Sequence, residues 1–158
     1  MATAKPSKHD KEGFRLIASN RKAELDYAIS ERLEAGVALH GSEVKVLRAG
    51  KCVLTAAHVR VVRDEALLFG MQIPEYPWSH QFNHEPERPR RLLLHKREIA
   101  HLRAALEAKG AAVVATRVYF KGARVKIELA IGSGRKDHDR RDAIKDREMK
   151  REIARHHR

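Results

Sequence analysis

Two histidines, His80 and His84, stand four residues apart, the spacing at which a helix would bring both rings to one metal ion. The glutamate of an HExxH motif is missing, and Pro86 places the pair in a loop, so metal-dependent cleavage is poorly supported. Gly132-Ser133-Gly134-Arg135-Lys136 has the look of a phosphate loop but lacks the four-residue gap and the Lys-Ser/Thr ending. Cys52 beside Lys51 would be an activated thiol if the lysine lowered its pKa; a small buried residue is the default. No catalytic constellation remains, which argues against an enzyme and against a bound cofactor or metal.

The chemistry left is that of cations arranged for a polyanion. Lys45, Arg48 and Lys51 recur every three residues on roughly one helix face, and Arg88, Arg90 and Arg91 cluster at the end of a loop. The guanidinium fork suits phosphate oxygens and also stacks on bases. Asn83 and His84 add neutral donors and acceptors for base edges or 2′-hydroxyls. Arg60 and Arg63 read as solvated surface charges.

The whole chain of 158 residues carries a net charge of +12. Residues 1–22, 23–131 and 132–158 each hold +4, so the ends concentrate the excess. Such a field attracts nucleic acid and makes association salt-sensitive. No apolar run approaches the ~20 residues of a membrane span, and Met1 to Asn20 lacks a signal-peptide core. One cysteine excludes an intrachain disulfide, and a reducing cytoplasm is expected.

The elements that must position these cations follow from periodicity. Residues 1–19 read as a disordered basic arm, 20–131 as a folded core and 132–158 as a basic tail. Leu25, Tyr27, Ile29, Leu33, Val37 and Leu39 predict a long strand, with a bulge or bend at Gly36. Ser42 is placed to cap a short helix over Glu43–Ala49, stopped by Gly50. Short strands are expected at Val53-Leu54, Val59–Val62, Ala66–Phe69 and Met71–Tyr76, with a polar turn at Arg63-Asp64-Glu65. Ser79–Arg90 reads as a loop and Lys96–Lys109 as a helix ending at Gly110. Two further strands follow, joined by a hairpin turn at Lys121-Gly122-Ala123; the second alternates through Val125, Ile127, Leu129 and Ile131. The class is mainly β: a small OB-like closed β-barrel with one or two short helices.

From Arg135 onward there is neither Gly nor Pro, and acid–base pairs recur at helical spacing, as in Asp137/Arg141, Asp146/Lys150 and Glu148/Arg151. Ile144, Met149 and Ile153 are too few to dock firmly. Two readings stay open: a solvated tail, or a segment that becomes helical on a polyanionic partner.

At the ordered motifs the match becomes specific. Asn20-Arg21-Lys22-Ala23, Glu34-Ala35-Gly36-Val37-Ala38-Leu39 and Gly41-Ser42-Glu43-Val44-Lys45-Val46-Leu47-Arg48 resemble the signature of the small protein B family, the SsrA-binding proteins. The likeness continues through Asn83-His84-Glu85-Pro86-Glu87-Arg88, Arg90-Arg91-Leu92-Leu93-Leu94-His95, Tyr119-Phe120-Lys121 and Lys126-Ile127-Glu128-Leu129-Ala130. It ends in Gly134-Arg135-Lys136-Asp137-His138-Asp139-Arg140-Arg141, so it covers nearly everything from Asn20 onward.

The resemblance implies an OB-fold core that binds the tRNA-like domain of tmRNA (SsrA RNA) in trans-translation, the rescue of stalled ribosomes. It implies a monomer whose tail enters the empty mRNA channel near the decoding centre. RNA contact would fall to Asn20, Lys22, Glu34, Lys45, Arg48, Asn83, His84, Arg88, Arg91, Leu93, His95 and Lys126. Tail contact with the ribosome would fall to Gly134, Arg135, Lys136, His138, Asp139, Arg140, Arg141, Ile144, Lys145 and Arg147. Val46 departs from the family's usual serine, Ser133 from a frequent basic residue and Ala115-Thr116 from a common proline; Arg135 and Arg140 replace lysines. Rival readings are a structural or assembly protein of the ribosome and a nuclease using His80 and His84.

Overall fold

The computed structural model describes residues 13–79, 83–135 and 137–157. The basic arm up to residue 12, His80 and Lys136 lie outside the described residues. Chain order is β1 (Phe14–Ser19), α1 (Arg21–Asp26), β2 (Tyr27–Val37), α2 (Gly41–Arg48), β3 (His58–Val62), β4 (Glu65–Phe69), β5 (Arg90–Leu93), α3 (Lys96–Glu107), β6 (Ala111–Lys121), β7 (Arg124–Gly134) and α4 (Asp137–His156).

The strand ladders close on themselves. β6 pairs with β7, β7 with β2, β2 with β5, β5 with β4, β4 with β3, and β3 returns to β6 through His58 opposite Val114. Every pairing is antiparallel, as expected of an OB-like barrel. Closure leaves few free strand edges. β1 lies on β6 beyond the ring, opposite Arg117–Lys121.

The alternation of β7 turns Ile127, Leu129 and Ile131 inward, where they meet Val113, Val118, Leu68 and Leu47 in one apolar core. Leu102 of α3 is fully buried against the same core. Two tight hairpins set the register. Arg63 and Asp64 both have positive φ (49° and 61°), the geometry of a two-residue I′ turn between β3 and β4. In the β6–β7 hairpin Gly122 takes φ 63°, with Ala123 completing the turn.

Several expectations need correction. Phe14–Ser19 is no part of a disordered arm: it is β1, and Phe14 packs on Tyr119 with ring centres 4.6 Å apart. Leu25 belongs to α1 rather than to the following strand, because Asn20 Oδ1 accepts the Ala23 N–H (3.2 Å) and starts a helix there. The bulge in β2 falls between Ile29 and Glu31 instead of at Gly36. Gly36 instead admits β5, since a Cβ there would stand 3.1 Å from Leu93 Cβ. Met71–Tyr76 makes a single bridge, Val53 to Gln72, because Pro74 has no N–H to extend a ladder. Arg90–Leu93, placed in or after a loop, is strand β5.

Gly70 follows β4 at φ 78°, and a Cβ there would lie 2.2 Å from the Ala56 carbonyl oxygen. Gly70→Ala combines left-handed strain with a backbone clash. It is expected to cost about 2 kcal/mol or more, read as a lowered urea midpoint. An unchanged midpoint would mean that the Ala56 segment yields freely.

Candidate nucleic-acid interface

The barrel gathers some of the predicted contact residues into two recesses and leaves the others dispersed over its surface and along α4. One groove, of about 410 Å³, brings together Glu34 (β2), Arg91 and Leu93 (β5), His95 and Lys126 (β7). Leu93 is 55% exposed on the barrel surface. The Tyr119 hydroxyl donates to Glu34 Oε2, and Lys121 Nζ lies 3.4 Å from Oε1. The Tyr119 hydrogen bond, opposed by burial and aided by Lys121 and Lys126, holds the Glu34 carboxyl below the ordinary glutamate value. Burial, then the bond to Glu34, raises the Tyr119 phenol, so it stays a donor. Asp64, Glu65 and Glu98 also line the groove, and Arg91 Nε lies 3.8 Å from Glu65 Oε1, so its cations stand among carboxylates and the groove offers charged acceptors as well as donors.

The second recess, of about 700 Å³, lies between α2 and the loop that follows Met71; Lys45, Asn83, His84 and Arg88 line it. Here the side chains predicted to touch RNA are largely engaged within the protein. Asn83 Oδ1 accepts the Tyr76 N–H (3.1 Å), and Nδ2 donates to the Tyr76 carbonyl (2.9 Å). The His84 ring is 5% exposed, with Nδ1 2.9 Å from Ser42 Oγ and Nε2 2.9 Å from the Ile73 and Pro74 carbonyls. Both residues shape the recess from beneath. Asn20 is likewise 8% exposed: beyond capping α1, its Nδ2 donates to the Leu54 carbonyl (3.0 Å).

Arg90 departs furthest from the surface cluster expected of it, being wholly buried. Its Nε donates to Glu43 Oε2, and its remaining donors reach the carbonyls of Met71 (2.7 Å), Pro86 (3.0 Å) and Arg88 (3.2 Å). Arg88 Nε donates to Glu43 Oε1 at 2.9 Å. Burial raises the Glu43 carboxyl, but the bonds from Arg90, the His40 N–H and Arg88 outweigh it and leave the group below the ordinary value. Glu43 was missed as a candidate; its one sequence signal is its place at the third position of α2, where it also accepts the His40 N–H (3.1 Å).

The other positions are dispersed. Lys22 is exposed on α1. Arg48 borders a small hollow with Arg15, whose Nη2 donates to the Arg48 carbonyl (2.8 Å). Gly134 ends β7, and α4 then sets off beside α1: the Arg135 N–H donates to the Asp26 carbonyl (2.8 Å), and Arg140 Nε lies 3.5 Å from Asp26 Oδ1. His138 and Asp139 fall in the first turn of α4, followed by Arg141, Ile144, Lys145 and Arg147. Ile144 is 39% exposed and Met149 59%. Arg147 comes back toward Asn20, Arg21 and Arg117.

The departures Val46 and Thr116 are buried rather than displayed, and the Thr116 hydroxyl donates to Glu128 Oε1 (2.8 Å). Burial pushes the Cys52 thiol up to about 12 against the opposing charge of Arg90, the reverse of activation. Among the described residues no group of three or more His, Cys, Asp or Glu is placed to hold a metal ion. None of their helices is long and apolar enough to cross a membrane.

Fold and surface together define a small basic β-barrel module with two polar surface recesses. The family model "SmpB protein" matches residues 17–158. The chain belongs to the SmpB family. It is 47% identical over 154 residues to the SsrA-binding protein of Oleidesulfovibrio alaskensis, covering 95% of this chain and 99% of that one. The SsrA-binding protein of Pelotomaculum thermopropionicum is 48% identical over 141 residues, covering 89% and 92%. That of Azorhizobium caulinodans is 46% identical over 142 residues, covering 89% of each. Among solved structures, a chain described as "tmRNA-SmpB: a journey to the center of the bacterial ribosome" superposes with a TM-score of 0.65. It is 37% identical, and the match covers 80% of this chain and 93% of that one.

Proposed function

We propose that this protein is a non-enzymatic adaptor that binds the tRNA-like domain of tmRNA and brings it to stalled ribosomes for trans-translation in the cytoplasm. The observation that carries the reading is the near full-length match to SsrA-binding proteins, reaching 99% of one relative. The groove that joins Glu34, Arg91, Leu93, His95 and Lys126 supports it by bringing five of the expected contact residues, from separate parts of the chain, to one place. In this reading Lys45 and Arg88 face RNA in the second recess, while Asn20, Asn83 and His84 act by holding the surfaces in shape. The tail, from Gly134 through Arg147, meets the mRNA channel.

The test is to sequence RNA that co-purifies with the full chain from its own cells. One tRNA-like species should dominate. Stoichiometric ribosomal RNA, with the protein sedimenting on all subunits, would favour a structural ribosomal protein instead and end this reading.

A further inference from the structure

Trp78 is the chain's only tryptophan, and it stands 76% exposed. Leaving so large an apolar ring in water forgoes the burial that usually places tryptophan inside. The backbone beneath it is nonetheless tightly held. The Ser79 N–H donates to the Tyr76 carbonyl (3.1 Å), closing a four-residue turn whose second residue, Pro77, has its φ fixed by its ring. Asn83 ties that turn down from the side, with two hydrogen bonds to the Tyr76 backbone and a third, of 3.4 Å, to the Ser79 carbonyl. Its neighbour His84 is anchored in turn to Ser42 of α2 and to the Ile73 and Pro74 carbonyls.

The surroundings of the ring are polar and cationic. Lys45 Nζ lies 5.2 Å from the centre of the Tyr76 ring, across the same 700 Å³ recess. His84 Nε2 faces two carbonyl oxygens and so carries the hydrogen; in the neutral ring Nδ1 then accepts from the Ser42 hydroxyl. That leaves the Ser42 lone pairs for a donor entering the recess. The other large exposed apolar side chains, such as Val53, Val62 and Leu93, do not line it. A protein interface would call for a contiguous apolar patch, which is missing among these described residues.

We propose that Trp78 is a stacking platform for one unpaired base of the bound RNA, with Lys45 on the adjoining phosphate and Ser42 accepting from that nucleotide. The inference rests on the RNA-binding reading above and assigns a ligand class to the second recess. A rigid aromatic face beside a cation is the arrangement by which splayed bases are held, since every base has a π-face to offer.

The sole tryptophan makes the test specific. The full chain is titrated with a transcript of the tRNA-like domain, following tryptophan emission while filter binding measures retained RNA independently. Emission should fall by about half or more at saturation, as stacking on a base quenches the indole. Trp78→Ala should weaken binding roughly 10-fold and Trp78→Phe no more than about threefold, with unfolding midpoints unchanged. Normal retention with unchanged emission, and Trp78→Ala within about twofold of the parent, would overturn the platform and spare the RNA-binding reading. Emission that moves only when ribosomal proteins are added would reassign Trp78 to a protein contact and overturn it too. No retained transcript at all would overturn the RNA-binding reading, and this inference with it.

Discussion

Replacing Glu43 with alanine should cost about 3–5 kcal/mol, enough to unfold a barrel of ordinary stability or bring it close to unfolding. The reason is what the substitution leaves behind. Arg90 is wholly buried, and without Glu43 its charge would keep only carbonyl oxygens as partners. Arg88 would lose the same carboxylate. Glu43→Gln keeps an acceptor for one guanidinium but no charge, so it should fall between parent and alanine variant. Urea unfolding checks both; a loss below about 1 kcal/mol for Glu43→Ala would show that Arg90 finds compensation. The same carboxylate sets a pH dependence. Its folded pKa lies below the unfolded value, so its contribution is complete above the ordinary glutamate range and disappears as pH falls through the folded pKa. Stability of the parent should therefore decline on acidification below that range, and that part of the decline should be missing from Glu43→Gln.

Deleting residues 135–158 should abolish tagging of stalled peptides while leaving affinity for the tRNA-like transcript within about threefold. Most of α4 contributes little to the barrel. Met149 and Ile153 are more than half exposed. The ion pair of Arg140 with Asp26 is partly exposed, a kind worth about 0–1 kcal/mol. The core should thus fold without the tail, while delivery to an empty channel should not proceed. Translation of a message lacking a stop codon, supplied with tmRNA and the truncated protein, reads the outcome as the presence or absence of tagged product. Tagging at the parent level would sink the two-part reading of the molecule.

The parts of the fold legible in sequence are those where local pattern and tertiary role coincide. β7 announces itself because every second residue faces one core, and α3 because Leu102 and its helical neighbours lie on one face. β1 was illegible because its strand character comes from the free edge of β6, which no local pattern reveals. α1 was masked by the period-two run that begins inside it, although Asn20 supplied a cap signal. Among site residues, cation clusters can be read from composition, but burial cannot. Arg90 and Arg91 are adjacent in sequence, yet alternation along β5 sends the first into the core and the second to the groove. Trp78 carried no periodic signal, and its importance rests on the turn that Asn83 ties down from seven residues away along the chain.

The attachment of α4 at Asp26 has a mechanical consequence. A helix of 20 residues extends about 30 Å; the ties at its base include a backbone hydrogen bond and an ion pair to Asp26, and its middle comes back to the barrel at Arg147. The arm free to act as a lever is therefore the stretch beyond Arg147, about 14 Å long. A tilt of about 10° there would sweep the far tip through about 2 Å. Small adjustments where the barrel grips its cargo would thus arrive magnified at the helix tip.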